Sequence, residues 1–457
     1  MKVESHFLKF KSGKKLIKNP TEFLTSGRFD LFFKILYLDM LEIGDPRACE
    51  IYDKHIYIIT EGVVKEKGNA NKNSYDAFRK EFISIYENIK TAGFCSDKSI
   101  IPIGNDGNIL DGAHRVASSI KCNVEVLTID LDAQCKHYDY KYFIDNGMPD
   151  EYCEIALKNG LKYIKDINLA CIWQGDSLLE LLSNNSDIYF VKSISSTYTS
   201  VKNLVVEFYS GESWIGDIGN SFSGADGKVI PCVSKEKNIH LVWFKSNLNL
   251  LVLKENLRKK VGVGKHSIHI TDNSEQCMVH SKFLLSQAFK LLINNFSYNS
   301  SICIDYLKKL NNEDIPSSAV LSGSAILALS NKRKSSDVDY FYDEKVDGEV
   351  SHITHNYFAQ YLPYNKELMF NNDLFTFKFL GYSFLDLWSI IEFKKIRNEE
   401  KDIIDIKLIY SDKNTKLDLI KKNWIFFKIK SKHGLIKLLT KINLIDFVII
   451  IKKKVIR

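Results

Sequence analysis

The chain has 457 residues, of which 45% are hydrophobic and 26% are charged, so its composition is that of a folded globular protein and excludes intrinsic disorder. This length exceeds what one hydrophobic core usually organises, and we expect two or three domains. The net charge of +7 is mild for such a chain and does not by itself indicate a nucleic-acid partner.

The nine cysteines are scattered singly, and none forms a Cys-x-x-Cys pair, which argues against a zinc knuckle or a redox dithiol. The first residues lack the apolar stretch of a signal peptide. No run reaches the roughly 18 to 20 apolar residues that cross a bilayer. These observations predict a cytoplasmic protein.

Residues 1–130 are predicted to form a small α+β domain. Apolar residues recur at helical spacing over residues 75–90, and Gly93 predicts the end of that helix. Five short elements are predicted to follow: a strand at 100–103, a turn at 105–108, a strand at 109–110, a helix at 114–120 and a strand at 124–129.

The five residues from Asp111 to Arg115 predict a compact anion-binding turn between a strand and a helix. Gly112 lets the backbone approach a ligand, and the start of a helix favours negative charge. Arg115 can bind a phosphate through two hydrogen bonds, and His114 can donate a further one. The alternative interpretation is a structural turn in which Arg115 pairs with Asp111.

Together with the preceding helix and strand, this turn resembles the ParB/sulfiredoxin-like fold over residues 40–130. In that superfamily a Gly-x-His-Arg or Gly-x-Arg-Arg turn holds nucleotide phosphates. Some members hydrolyse CTP, some use ATP on sulfinic acid, and some phosphorylate free serine. The resemblance implies that Gly112, His114 and Arg115 bind ATP or another nucleoside triphosphate.

Kinases of that superfamily also need an acidic base, and the resemblance makes Glu61 and Asp111 the candidates here. The chromosome-partitioning members carry Gly-Glu-Arg-Arg, whereas this chain has Gly-Ala-His-Arg at 112–115. No DNA-binding helix-turn-helix is evident downstream. We therefore expect nucleotide chemistry in this region and no DNA partner.

The middle region, residues 131–312, is predicted to be a second α+β domain. Apolar runs predict strands at 204–209 and 239–244. Helical spacing predicts a helix at 281–292.

Polar residues around a further predicted strand offer a binding surface in the middle region. Alternation places Lys265, Ser267 and His269 on one face of that strand, with Asp272 just past its end. With His266, this group predicts a site that binds a phosphorylated sugar or transfers protons, and the alternative is a structural cluster. A nearby basic helix is suited to face an anionic substrate, and it carries Lys254, Arg258, Lys259 and Lys260.

Residues 313–412 begin with a predicted strand, a Gly323-Ser324 turn and a helix, followed by a predicted acidic strand. Backbone N–H groups and the hydroxyl of the turn suit a triphosphate. Asp337 and Asp339 are two residues apart, so a strand would present both carboxylates on one face. Such like charges repel unless a cation lies between them, which predicts a Mg²⁺ site.

This Gly-Ser turn with a later Asp-x-Asp resembles the polymerase-β-like nucleotidyltransferase superfamily over residues 316–412. A later run resembles the helical segment of its small members, such as antibiotic-modifying enzymes and toxin transferases: Lys394, Arg397, Glu399, Lys401, Asp402 and Asp405. The resemblance implies that Asp337 and Asp339 bind metal and catalyse the reaction. Polymerase-like members use a third carboxylate, for which Asp373 and Asp386 are the candidates. The alternatives are a domain with altered chemistry and a solvated helix face with salt bridges.

The C-terminal segment, residues 413–457, is basic and apolar. From residue 419 onward, eleven Lys or Arg accompany one acidic residue, Asp446. Their spacing among apolar residues predicts an amphipathic helix attracted to an anionic membrane surface. The alternatives are an ordinary packing helix and a tail that binds nucleic acid.

Two nucleotide-type sites and a membrane-seeking tail together favour an enzyme that builds bacterial surface glycans. The chain also resembles, weakly around residues 265–272, proteins of lipopolysaccharide and capsule gene clusters. The sequence thus predicts Mg²⁺-dependent phosphoryl or nucleotidyl transfer to a sugar or lipid-linked glycan acceptor, in the cytoplasm or peripherally on the inner membrane. The alternatives are a toxin-type nucleotidyltransferase acting on RNA or protein, and a non-catalytic module that senses nucleotide.

Overall fold

Three small sheets surrounded by helices make this an α+β protein. The computed structural model describes residues 7, 10, 12–66, 71–96, 99–233, 238–261, 264–348 and 354–411. Within these ranges the strands are β1 (Ser12–Lys18), β2 (Ile101–Ile103), β3 (Val126–Leu131), β4 (Asn168–Ile172), β5 (Asp187–Ser195), β6 (Asn238–Lys245), β7 (Ile268–Ile270), β8 (Val320–Leu321), β9 (Tyr340–Phe341), β10 (Thr376–Phe379) and β11 (Tyr382–Leu385).

The α-helices of the same ranges are α1 (Asp30–Ile43), α2 (Ala48–Ile59), α3 (Tyr75–Ala92), α4 (Ala113–Cys122), α5 (Tyr140–Asp145), α6 (Asp150–Gly160), α7 (Asp176–Ser183), α8 (Tyr198–Tyr209), α9 (Asp226–Cys232), α10 (Leu250–Val261), α11 (Ser274–Leu284), α12 (Phe289–Asn295), α13 (Ser301–Asn312), α14 (Ala325–Leu329), α15 (Glu344–Asp347), α16 (Glu367–Asn371), α17 (Leu387–Arg397) and α18 (Glu400–Tyr410). Short 3₁₀ helices span Pro20–Phe23, Leu161–Tyr163, Ser223–Ala225, Gly264–His266 and His355–Tyr361.

The N-terminal sheet has the order β1-β3-β2. Its central strand β3 pairs antiparallel with β1 and parallel with β2, so that Thr128 lies opposite both Leu16 and Ile101. The helix predicted at 75–90 is confirmed as α3, which the Ser74 side chain caps and Gly93 ends. α4 packs against both α1 and α3, which holds the turn before α4 against the N-terminal core.

The middle sheet has the order β5-β6-β4-β7, and each neighbouring pair is antiparallel. The strands of two β-α-β units, β4-α7-β5 and β6-α10-β7, are interleaved, which is the split β-α-β arrangement. α7 and α10 cover one face through Leu178 and Leu253, which pack with Val242 and Ile270 of the sheet. The opposite face, with Trp173 stacked edge-on against a ring of α8, joins the main core.

The C-terminal sheet has the order β10-β11-β8-β9. β8 lies between a parallel neighbour and an antiparallel one, with Leu321 opposite Phe384 of β11 and opposite Tyr340 of β9. Because β8 and β9 pair directly, the turn that follows β8 lies beside the residues that precede β9.

The three parts of the chain share one continuous cluster of buried apolar side chains. At Gly160, α6 approaches α1 so closely that a Cβ would lie 2.3 Å from the ring of Phe32. Arg47 of the N-terminal part stacks on Trp388 at 4.1 Å and lies 3.6 Å from the buried Asp386 carboxylate. The boundaries at residues 130, 312 and 412 stay predictions, and the parts they separate pack together.

The strand predicted at 204–209 is wrong, because these residues form the second half of α8. Thr197 and Ser200 form a capping box that starts this helix, and Leu204 and Phe208 are buried. A helix buried on every side has the same continuous apolar run as a buried strand, so periodicity alone does not separate the two.

The helix predicted at 281–292 is split between α11 and α12, which the segment at 285–288 separates. The strand predicted at 109–110 is reduced to a single bridge between Ile109 and Ile103. The strand predicted at 239–244 is confirmed as β6.

Two site-bearing segments are turns where strands were predicted. Lys265 and His266 lie in a 3₁₀ helix, because the Ser267 N–H and hydroxyl both donate to the carbonyl of Gly264. Asp337 and Asp339 both precede β9, and the Ser335 hydroxyl donates to the carbonyl of Asp337. Simple strand alternation therefore does not place these side chains.

Buried ion pairs join α17 and α18 to the loop that follows α14. The Nζ of Lys394 lies 3.3 Å from Asp402 and 2.8 Å from Asp405, and all three side chains are at most 2% exposed. Arg397 grips Asp402 through two hydrogen bonds of 2.6 and 2.8 Å, and Arg333 grips Asp405 in the same way. The solvated-face alternative is therefore wrong for Lys394, Arg397 and Asp402, whereas Lys401 fits it, since its side chain is 63% exposed and pairs with Glu399.

Asp405→Ala is expected to destabilise the protein by about 3–5 kcal/mol, because Lys394 and Arg333 would lose their buried counter-charge. The free energy of unfolding in denaturant measures this. The control, Lys401→Ala, breaks an exposed 3.0 Å contact with Glu399 on the same helix and should cost less than about 1 kcal/mol. Equal losses in the two variants would contradict a special role for the buried network.

Candidate functional site

A glycine and an aspartate meet at the turn between β8 and α14. Gly323 has a φ of +61°, which is left-handed, and a Cβ there would lie 2.1 Å from Oδ2 of Asp339. Any side chain at this position would displace that carboxylate. The N–H of Ser322 also donates to the carbonyl of Asp339 at 2.8 Å. The structure thus brings Gly323 and Asp339 into direct contact.

His355 fixes the orientation of Asp339. Its Nε2 lies 3.0 Å from Oδ1 of Asp339, and its Nδ1 lies 2.8 Å from the Ser322 hydroxyl. Burial raises the pKa of Asp339, but the hydrogen bond from His355 and the charges of Lys394 and Arg397 outweigh it and bring that pKa below its ordinary value. The carboxylate is therefore ionised at neutral pH and held in one position.

Ser324 and Asp337 belong to the same assembly through a serine between them. The Ser335 hydroxyl donates to the carbonyl of Asp337 at 2.9 Å and lies 2.6 Å from the Ser324 hydroxyl. The Ser336 hydroxyl donates to Oδ1 of Asp337 at 2.6 Å. We call Gly323, Ser324, Asp337, Asp339 and His355 the C-terminal site.

α13 adds a buried hydroxyl that the sequence did not single out. Tyr306 is 3% exposed, and its Oη has no hydrogen-bond partner among the described residues. Burial first, and then the charges of Asp339, Glu313 and Asp337, raise the pKa of Tyr306. Its place in the apolar stripe of α13 gives no signal distinct from core packing. His355 was missed as well, because it joins Asp339 only through tertiary contact.

Asp337 and Asp339 fit the donor set of Mg²⁺, which takes one or two carboxylates and completes its shell with substrate phosphates and water. The candidate third carboxylates, Asp373 and Asp386, instead contact basic residues of the middle and N-terminal parts. Across the residues with described coordinates, no group of three or more His, Cys, Asp or Glu is arranged to hold a metal ion. The described contacts join Asp337 to Ser335 and Ser336, so a Mg²⁺ ion shared by Asp337 and Asp339 stays a prediction.

At the N-terminal turn, Arg115 is already engaged. Its Nη2 lies 2.8 Å from Oδ2 of Asp111, and its Nη1 contacts the Ser99 hydroxyl. Gly112 has a φ of +85°, and a Cβ there would lie 2.9 Å from Nη2 of Arg115, so the guanidinium lies over the glycine. This is the structural pairing that the sequence left open. A phosphate at this turn would compete with Asp111 for Arg115.

His114 makes its hydrogen bond inside the N-terminal part. Its Nε2 lies 2.8 Å from the Tyr52 hydroxyl, and its ring centroid lies 4.5 Å from that of Phe82. Burial, reinforced by the charges of Lys34 and Lys72, holds the pKa of His114 well below its ordinary value. The imidazole is therefore neutral at neutral pH, so any hydrogen bond it gives a phosphate is not charge-assisted.

Glu61 was paired with Asp111 as a candidate base, but the structure places it in another environment. It lies in the turn after α2 with a φ of +53°. Its carboxylate is 58% exposed and 3.5 Å from Lys136. No described ion pair or hydrogen bond joins it to Asp111 or Arg115.

The predicted residues of the middle part gather around β7. His269 lies in that strand with its Nδ1 3.1 Å from the Tyr209 hydroxyl. His266 lies 4.0 Å from the sulfur of Cys232, and Asp272 lies 3.7 Å from Lys254. Further members, supplied by α8 and α9, include Tyr209 and Lys228, which the sequence did not single out.

The segment expected to bind membranes, residues 413–457, lies outside the described residues. Of the helices that the structure describes, none combines the length and the apolar character needed to cross a bilayer. Membrane contact through the tail stays a prediction from the sequence.

No family model, no curated protein and no solved structure matches the chain. The resemblances to ParB/sulfiredoxin-like and nucleotidyltransferase domains therefore stay predictions, and a function has to be argued from the geometry and chemistry of the sites.

Acidification is expected to weaken the fold through His269. Its pKa is about 3, because burial and the charges of Lys254, His280 and Lys228 disfavour the imidazolium. An unfolded histidine titrates near pH 6.5, so this contribution to stability is complete above about pH 6.5 and is lost as the pH falls towards the folded value. By pH 5 the loss from this residue reaches about 2 kcal/mol at most.

The measurement is the free energy of unfolding at pH 7 and pH 5 for the wild type and for His269→Gln. Glutamine keeps a polar side chain and does not titrate, so the variant should lose less stability on acidification than the wild type. The two proteins losing equal stability would show that His269 is not buried in its neutral form.

Proposed function

We propose that the chain is a nucleotide-dependent transferase of phosphorus-containing groups, a nucleotidyltransferase or kinase, and that the C-terminal site is its catalytic centre. The observation that carries this is the direct contact between the left-handed Gly323 and the ionised Asp339 carboxylate. A backbone without a side chain lets phosphate oxygens come close to that carboxylate. Phosphate and carboxylate repel each other unless a cation bridges them, so the geometry favours Mg²⁺ with ATP or another nucleotide.

Each residue of the C-terminal site has a distinct role in this proposal. Asp337 and Asp339 hold Mg²⁺, which when bound neutralises phosphate charge and orients the reacting group. His355 keeps the Asp339 carboxylate in one orientation. The turn of Gly323 and Ser324 receives the triphosphate. Among the described residues, Asp373 pairs with Lys282 and Asp386 with Arg47, which favours a small transferase over a polymerase-like reaction that uses either one as a third carboxylate.

The acceptor in this proposal is a sugar-containing precursor of a bacterial surface glycan, as part of a lipopolysaccharide or capsule. The basic surroundings of His269 in the middle part support an anionic acceptor of this kind. The expected acceptor contacts are Lys265, His266, His269 and Asp272. The basic C-terminal segment would bring the enzyme to the cytoplasmic face of the inner membrane, where lipid-linked precursors are assembled.

For the N-terminal turn we propose nucleotide binding in a sensing role. The ion pair between Asp111 and Arg115 favours this, because a phosphate that binds Arg115 must displace Asp111 and so changes the turn. Gly112 and His114 complete the phosphate contacts. Glu61 and Asp111 remain the candidate bases if this turn transfers phosphate itself, and the position of Glu61 beside Lys136 disfavours that role.

The double variant Asp337→Asn, Asp339→Asn should keep the fold and lose at least about a hundredfold in transfer activity, because it removes the charges that hold Mg²⁺. The assay supplies ATP and CTP labelled at the α- or γ-phosphate to bacterial extract. It then follows label in the lipid-linked glycan, RNA and protein fractions. α-Label in the product means nucleotidyl transfer, and γ-label means phosphoryl transfer.

Asp373→Asn is the matched control, since Asp373 contacts Lys282 outside the C-terminal site and should keep full activity. Label in RNA or protein would replace the glycan acceptor with the toxin-type alternative. Full activity in the double variant together with its loss in Arg115→Ala would move catalysis to the N-terminal turn and overturn the proposal.

A further inference from the structure

Cationic side chains from three elements surround one buried histidine of the middle part. His269 lies on β7, Lys228 on α9, Lys254 and Arg258 on α10, and Lys265 in the 3₁₀ helix before β7. The Nζ of Lys254 donates to the carbonyl of Ile270 at 3.1 Å, and the Nζ of Lys228 donates to the carbonyl of Lys265 at 3.2 Å. Burial first, and then the charges of Lys254, Lys228 and Arg258, lower the pKa of the imidazole.

His269 is held firmly, but one of its ring nitrogens has no partner. Its ring lies 4.7 Å from that of Phe208, and its Nδ1 lies 3.1 Å from the Tyr209 hydroxyl. The residue is 8% exposed, and Nε2 is buried without a hydrogen-bond partner among the described residues. When the Tyr209 hydroxyl donates to Nδ1, the neutral ring carries its proton on Nε2 and offers it as a donor.

A second buried nitrogen without a partner among the described residues belongs to Arg258. Its Nη1 contacts Glu255 at 3.2 Å, whereas its Nε is buried and makes no hydrogen bond to any described residue. Buried polar groups are nearly always hydrogen-bonded, so two unpaired nitrogens, one on β7 and one on the helix α10 that packs against it, indicate a missing partner. Both belong to groups that can donate to an anion.

The charge around His269 is also incompletely balanced. Glu255 and Asp272 contact Arg258 and Lys254, but their carboxylates are 59% and 78% exposed. Lys228 forms no ion pair with any residue that the structure describes. Cations held close together repel one another, and a bound anion removes that cost.

We propose that Lys228, Arg258, Lys265 and His269 form a binding site for the phosphate groups of a phosphorylated ligand, which we call the middle phosphate site. Arg258 and Lys228 provide charged contacts, and Nε2 of His269 provides a neutral one. A single carboxylate carries one negative charge, whereas a phosphate ester carries up to about two, so a phosphate balances several cations better. The middle phosphate site shares Lys265 and His269 with the expected acceptor contacts and so rests in part on the proposed function, but its ligand binding does not depend on catalysis at Asp337 and Asp339.

An exposed aromatic ring beside the middle phosphate site suits the rest of the ligand. Trp214 is 42% exposed, and its ring centroid lies 5.4 Å from that of Tyr209. The Nζ of Lys228 lies 5.0 Å from the centre of the Tyr209 ring, so the aromatic pair adjoins the cations. A planar base or the apolar face of a sugar attached to the phosphate can pack on Trp214.

The test is calorimetric titration of the full chain with inorganic pyrophosphate in EDTA, which keeps divalent metal away from the C-terminal site. Arg258→Met removes the guanidinium but keeps an apolar side chain of similar reach. It should weaken binding by about ten- to a hundredfold, the loss expected for charged hydrogen bonds. Lys259→Met removes the same charge one residue away, from an exposed position on α10, and should change binding by less than about twofold.

Thermal unfolding reports whether Arg258→Met is folded, and Lys228→Met tests the same prediction if it is not. Competition of ribose 5-phosphate, glucose 1-phosphate and ATP with pyrophosphate then identifies the source of the phosphate. Trp214→Ala should weaken the binding of the best of these organic ligands but leave the binding of pyrophosphate unchanged. Absence of pyrophosphate binding by the wild type, or equal weakening by Lys259→Met, overturns the proposal. So does loss of binding in Arg115→Met with no change in Arg258→Met, which would place the anion at the N-terminal turn.

Discussion

Asp405 is bonded through both carboxylate oxygens, to Arg333 on one side and to Lys394 and Arg333 on the other. An isolated buried charge is far costlier than a paired one, so such compensation decides which side chains can lie inside the fold. The N-terminal part follows the same rule, because Asp30 lies between Arg28 and Lys34. Arg28 also contacts the carbonyl of residue 109, just before the Asp111 turn. Paired buried charges thus stabilise the parts of the fold that carry both predicted nucleotide sites.

Some buried polar groups, in contrast, have no hydrogen-bond partner among the described residues. After burial, the charges of Asp339 and Asp337 raise the pKa of one such group, the Tyr306 hydroxyl, and the charges of Lys254 and Lys228 lower the pKa of His269, whose Nε2 is another. We propose a cation at the C-terminal site and an anion in the middle part. A transferase that binds a metal–nucleotide and an anionic acceptor needs both.

Local sequence signals predicted the elements whose boundaries are set by local chemistry. α3 has an apolar stripe, a serine cap and a terminal glycine, and all three act within a few residues. α8 shows where this fails, because its apolar run is continuous and its periodicity does not separate a buried helix from a buried strand. The 3₁₀ helix at Gly264–His266 also escaped prediction, since a hydroxyl of Ser267 closes it. Local hydrogen bonds of this kind compete with strand pairing and leave no periodic pattern.

For the candidate sites, the sequence by itself determined the residue types that are close along the chain. Gly112 stands next to the His114 and Arg115 pair, and Asp337 is two positions from Asp339. Only the tertiary structure decided which side chains are free to act, because that depends on partners from distant elements. It set the Ser99 hydroxyl against Arg115 and His355 against Asp339, and it left Nε2 of His269 unpaired among the described residues. Burial and hydrogen-bond partners depend on which elements pack together, and the local sequence pattern does not predict that packing.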